Sequence, residues 1–269
     1  MSREIVRPSL RSALPSLYPI GPPSPRAAGP RGLAAGACIL CRGPARSGWA
    51  RCYQCDSHHL LGHGLLADAV VPVSYAVKGT AYADDLWRYK SGQAGNAPAR
   101  RSVLALLLAF LGDHGACVWR SAAMPAPDRL AVVPSGCGRP GPHPLLALAS
   151  PYLGVPLWPL AIRPGRQGRD LDVRRFQASR AGAGAGGSVL LLDDTWVSGA
   201  SAQSAAAALK LAGARHVAIV VLGRHVNPAD PRAARFAAGL VPGPYDPSGC
   251  AVHAGPGAGA RACPAEPAP

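Results

Sequence analysis

Between about residue 70 and residue 226 the chain alternates short unbroken apolar runs with longer segments of helical period. The runs at 70–77, 130–133, 189–192 and 215–223 are mostly continuous rather than alternating. That pattern belongs to strands buried on both faces. Between them, 81–90, 98–112, 143–154 and 200–213 predict helices. Pro98 opens the second and Gly112 lies near its end, and Gly213 closes the last. The segment VPLWPLAI, 155–162, reads as an edge strand, because Pro156 and Pro159 have no amide to donate. Residues 163–187, rich in arginine and glycine, show no period. Alternating strands and helices with continuous apolar strands predict an α/β fold: a parallel sheet with helices on both faces. In such sheets ligands bind beyond the carboxyl ends of the strands.

Composition refines the boundaries. Apolar residues make up 48% of the 269, enough for a core, but 32 glycines and 29 prolines cluster toward the ends. Residues 1–35 and 227–269 carry too little patterned apolar surface to offset chain entropy, and both are predicted to be disordered tails. The interior divides into a cysteine module at 36–66 and an α/β domain at 67–226. The longest apolar helix, RRSVLALLLAFLG, is shorter than the roughly 18 residues of a membrane span and reads as a core helix. No secretory h-region is visible, so the expected setting is cytoplasmic, without a membrane partner. The cysteines are then expected to be ligands or free thiols rather than disulfides. A net charge of +14 favours phosphate-bearing partners, nucleotides or sugar phosphates, or nucleic acid through a basic surface.

Cys38, Cys41, Cys52 and Cys55 form C-x2-C-x10-C-x2-C. Two such knuckles offer four thiolates to one tetrahedral zinc, and a filled shell makes the site structural rather than catalytic. His58, His59 and His63 follow closely and are read as surface residues. Cys117 is expected to be buried in or near a helix end, and Cys137 to have a packing role. Cys250 and Cys263 fall in the C-terminal tail.

The segment SVLLLDDTWVSGAS, from Ser188, carries the main chemical signal. A strand ends at two adjacent acids, Asp193 and Asp194, which repel each other. A short turn follows, and a helix starts near Ala200. A helix N-terminus suits a phosphate, Gly199 lets backbone approach a ligand, and Ser198 and Ser201 offer hydroxyls. The carboxylates suit a sugar diol. Ribose 5-phosphate satisfies both demands. An ordinary strand-to-helix turn, with the acids capping the helix, is the alternative.

These residues resemble the phosphoribosyl-pyrophosphate (PRPP) signature of the type I phosphoribosyltransferases. The paired CxxC knuckles, a Tyr-Lys segment, VPS followed by an arginine and an Arg/Gln-rich stretch resemble the ComF-like branch over about 36–226. The resemblance implies that Asp193 and Asp194 bind the ribose hydroxyls and act in catalysis. It implies that Thr195, Trp196, Val197, Ser198, Gly199, Ala200 and Ser201 cradle the 5-phosphate. Val197 stands where the family usually has Thr or Ser. Ser135, Gly136 and Arg139 match the pyrophosphate loop, and Arg163, Gln167 and Arg174 match the hood, with Lys90 at a lysine motif. The implied activity is magnesium-dependent transfer of 5-phosphoribosyl from PRPP to a nitrogen acceptor, releasing pyrophosphate. The implied cofactors are Mg2+ with PRPP and structural Zn2+. No glutamine-hydrolysing domain fits before Cys38. The alternative is a catalytically weak ComF-like protein acting in DNA uptake, nucleic-acid binding or PRPP sensing. A homodimer is left open.

Overall fold

The computed structural model describes residues 36–91, 93–135, 143–179, 186–240 and 251–252. After the cysteine knuckles come α1 (Tyr53–Leu61), β1 (Ala69–Val77), α2 (Ala81–Arg88) and α3 (Ala97–Ser121). Then follow β2 (Arg129–Val132), α4 (Pro144–Ala149), and the short pair β3 (Leu160–Ile162) and β4 (Phe176–Ala178). The chain continues through β5 (Ser188–Trp196), α5 (Ala200–Leu211), β6 (His216–Val226) and α6 (Pro231–Ala238). Four strands form one parallel sheet in the order β1-β6-β5-β2. The fold is therefore α/β, with helices flanking a parallel sheet, as the apolar pattern predicts.

Strand alternation sorts the core into two layers. On one face Leu190, Leu192, Ala218 and Val220 pack with Leu86 of α2 and Leu106 and Phe110 of α3. On the other, Val189, Leu191, Val217 and Ile219 pack with Ala202, Ala205, Ala206 and Leu209 of α5. Every one of these is buried, so both faces of β5 and β6 had to be apolar, and the sequence runs there are unbroken for that reason.

Several boundaries differ from expectation. β5 does not stop at the acids but runs through Trp196, because Asp193, Thr195 and Trp196 keep their ladder partners Val221, Gly223 and Arg224 in β6. α3 does not end near Gly112: it reaches Ser121, because Cys117, Val118 and Trp119 are buried, and that burial outweighs the roughly 1 kcal/mol cost of an interior glycine. At 25 residues α3 is long and apolar enough to cross a membrane, contrary to the length argument, but 67% of its most apolar window is buried inside the protein. Cys117 is disulfide-bonded, which departs from the expectation of ligands or free thiols. α4 ends at Ala149 rather than at Gly154, two residues ahead of Pro151. The edge-strand segment joins the main sheet only through an isolated bridge, Leu130 to Leu157. Its β3 instead pairs antiparallel with β4, inside the stretch that showed no period.

The expected C-terminal tail is also corrected. Residues 227–240 are ordered around α6, which Asp230 caps by accepting from the Arg232 amide, with Pro231 at the first helical position. Ala233 is buried, and Phe236 meets Tyr75 edge-on at 5.6 Å between ring centroids. Ala251 returns to the core beside the α2–α3 layer. Expected outcome: Phe236→Ala lowers unfolding free energy by about 0.5–1.5 kcal/mol beyond the lost apolar area, read from urea midpoints. An unchanged midpoint would make α6 an appendage after all.

Candidate anion and metal sites at the carboxyl edge of the sheet

Asp193 and Asp194 are consecutive strand residues, so they leave opposite faces of β5. Asp194 follows Leu190 and Leu192 into the α2–α3 layer. It is 4% exposed and has three donors. Tyr89 Oη donates to its Oδ2 at 2.7 Å, Lys90 Nζ to its Oδ1 at 2.9 Å, and His143 Nε2 lies 3.4 Å from Oδ2. His143 Nδ1 accepts from the Leu145 amide at the start of α4, so the ring proton faces the carboxylate. Burial opposes ionisation of Asp194, but the contacts with His143, Lys90 and Tyr89 outweigh it and hold the carboxyl well below its usual range. Asp193 is partly buried, and its Oδ1 accepts from the Asp194 amide at 2.9 Å. Burial, and then the adjacent Asp194 charge, push its carboxyl up to about 8. The pair is thus split: one fixed anion, and one carboxyl that readily keeps its proton.

The turn after β5 brings a glycine to the helix N-cap. Gly199 has φ +83°, and a Cβ there would run into the Trp196 indole. No side chain of the N-cap residue covers the first turn of α5. Ser198 Oγ accepts from the Ala200 amide at 3.3 Å, and the hydroxyl of Ser201 stands one residue further. Thr195 is half-buried at the end of the ladder and Val197 is exposed. This mouth carries amide donors, two hydroxyls and the positive end of a helix dipole, the ingredients of an anion site.

The β3–β4 hairpin folds over the mouth. The Asp172 amide donates to Ser204 Oγ of α5 at 2.9 Å, and Arg175 Nη1 donates to Ser201 Oγ at 3.3 Å. Arg175 is 4% exposed, its Nη2 donates to the Asp170 carbonyl, and its Nε is buried without a partner. Sequence reasoning selected Arg163, Gln167 and Arg174 in this segment, and all three are exposed; Arg163 Nε donates to the Phe176 carbonyl. Arg175 was missed because only the hairpin register separates it from its neighbouring arginines. Tyr89 and His143 were missed as well; the one available signal was His143 standing directly before Pro144, a cap position. Ser135 lies just beyond β2, at the same edge of the sheet, whereas Gly136, Cys137 and Arg139 lie outside the described residues.

The four knuckle cysteines come together as expected. Their sulfurs all lie within 4.8 Å of one another, and Cys41 Sγ stands 3.8 Å from Cys52 Sγ. Tetrahedral zinc with bonds of about 2.3 Å places its sulfurs about 3.8 Å apart. Hydrogen bonds from Cys41, Cys52 and Cys55 hold the Cys38 thiol down, while Cys38 and Cys41 push Cys52 and Cys55 up. The bare cluster resists a full set of thiolates, which a dication would relieve, so the donor set fits zinc. All four cysteines share a core cluster with Trp196, Ala202 and Val217, so the knuckles are built into the sheet's α5 layer. His59 and His63 are exposed, but His58 is buried on α1, contrary to expectation, because its helix turns it inward with Cys55.

No protein-family model matches the chain, and no curated protein matches it.

Two outcomes are expected here. Asp193 binds its proton more tightly folded than unfolded, so its contribution favours the fold at low pH and is lost as pH rises from about 4 through about 8. Asp194 acts oppositely: its contribution is present above about pH 4 and is lost as pH falls through its depressed value. Asp193→Asn should therefore be more stable than wild type above the raised value, with the gap closing below about pH 4. Urea midpoints across pH check this, and a gap constant with pH would refute it. Purified protein should also carry a single zinc by elemental analysis, and Cys52→Ser should lose it together with thermal stability.

Proposed function

We propose that the chain is a ComF-like, type I phosphoribosyltransferase that binds PRPP with magnesium and transfers its 5-phosphoribosyl group to a nitrogen acceptor. The observation that carries this reading is the glycine-capped N-terminus of α5 with Ser198, Ser201 and buried Arg175 around it, beside a split carboxylate pair at the carboxyl edge of a parallel sheet. In this reading the 5-phosphate takes the amides and hydroxyls of the turn, and Arg175 supplies the matching charge. Asp193, partly exposed, accepts from a ribose hydroxyl. Asp194 does not touch the sugar directly in this arrangement; it holds Lys90, Tyr89 and His143 in place beside it. Magnesium bound together with PRPP would supply charge neutralisation for the departing pyrophosphate. The remaining task of the protein is positioning and electrostatic stabilisation as the C1–oxygen bond loosens and nitrogen takes its place.

Isothermal titration with PRPP tests the proposal. Wild type should bind only with magnesium. Arg175→Gln should weaken binding by about tenfold or more, the worth of one charge-assisted hydrogen bond. Asp193→Asn should cost turnover on the order of 10²-fold. A folded, zinc-loaded wild type that ignores PRPP would sink the reading.

A second reading, nucleic-acid contact, is favoured by one local feature. On the knuckle module Trp49 is 58% exposed and Tyr53 83%, with Arg46 and Arg51 interleaved. Aromatic faces among arginines suit single-stranded bases. Steep loss of oligonucleotide binding with salt would support it, as would loss on Trp49→Ala.

A further inference from the structure

We infer that Arg224 couples the metal state of the cysteine knuckles to the conformation of the turn between β5 and α5. This inference concerns the turn itself and holds whatever anion the turn accepts.

Ladder register aligns Tyr75 of β1, Arg224 of β6 and Trp196 of β5 in one row across the sheet. The knuckles sit on that row. Tyr75 Oη donates to the Arg42 carbonyl at 2.7 Å, and a Cβ added to Gly43 would collide with the Arg224 guanidinium. Arg42 and Gly43 belong to the first knuckle turn, where the Arg42 amide donates to the Cys38 carbonyl and the Cys38 amide to the Gly43 carbonyl. On its other side Arg224 grips the turn. Its Nη1 donates to the Trp196 carbonyl at 3.0 Å, to the Val197 carbonyl at 3.3 Å and to the His225 carbonyl at 2.6 Å. The first two carbonyls lead directly into Gly199, whose left-handed backbone rests against the Trp196 indole.

Close contact on both sides of a buried guanidinium makes the link a physical one. Arg224 is 6% exposed, and among the described residues no carboxylate lies within ion-pair distance of it. Its Nε is buried without a partner. A buried cation left in this way is costly. Gly43 backs the guanidinium closely, and the turn that contains it is tied to Cys38 by two backbone hydrogen bonds. A metal that fixes Cys38 would fix that turn, and with it the guanidinium and the Trp196 and Val197 carbonyls it holds. With the metal removed, the knuckle turn is free to shift and the guanidinium to follow it, loosening the grip on Trp196 and Val197. Arg224 is a positioning residue, and its role resembles the outer-shell partners that orient metal ligands.

Hydrogen exchange of the amides at 195–201 tests this on the full chain, with zinc bound and after chelation. In wild type, chelation should accelerate exchange at the turn by roughly 5- to 150-fold, more than in the body of α5. Arg224→Met should show the same acceleration with zinc bound, and chelation should add nothing further. A turn unchanged by Arg224→Met overturns the inference, as does chelation that accelerates exchange equally in wild type and Arg224→Met. Should Arg224→Met not fold, Gly43→Ala takes its place: it pushes the guanidinium from the knuckle side and must loosen the turn, and an unaltered turn then overturns the inference.

Discussion

The site is organised around one buried carboxylate. Asp194 sits inside a strand, and its oxygens are shared among three donors from two places in the chain: Tyr89 and Lys90 beyond α2, and His143 before α4. An ion in that position is tolerated only when its donors are all present. The fold has therefore to bring α2 and the start of α4 to the same strand end, and burial, with the adjacent charge of Asp194 added, makes Asp193 keep its proton. The chemistry available at this edge follows from that arrangement. There is a fixed anion on one face, a reluctant acid on the other, and a glycine-capped helix N-terminus one turn away.

The hairpin of β3 and β4 adds the positive half. It is attached to α5 by Asp172 to Ser204 and by Arg175 to Ser201, so the loop that lies over the mouth is tied to the helix that forms it. The exposed arginines of the same loop face solvent, where each is worth little until a polyanion arrives. Arg175 differs because its burial has already been met before any ligand binds, and such preorganised groups contribute most to recognition.

What the sequence made legible followed from local rules. The central strands β5 and β6 were readable because burial on both faces leaves only apolar residues to choose from. The knuckles were readable because metal geometry restricts cysteine spacing. The turn at Gly199 was readable because a glycine between serines at a strand–helix junction has few other uses. Elements held by distant partners were not readable. α3 continues past Gly112 because Val118 and Trp119 find the core, and α6 is held against the sheet by Ala233 and by Phe236 beside Tyr75. The same limit explains the site residues: Tyr89, His143, Arg175 and Arg224 acquire their roles from contacts many residues away, and no periodicity records those.

The alanines of α5 bear on how this chain can drift. The whole sequence is rich in alanine. Ala202, Ala205, Ala206 and Ala207 have no exposed surface at all. A helix lined with single methyl groups lies close on its sheet, and an added methylene would have to displace backbone, at about 1–3 kcal/mol each. In exposed loops alanine can be enlarged into open solvent at little cost. Along α5 it is held by the distance between two layers, and substitutions there should be the rarest even where alanine looks most like background.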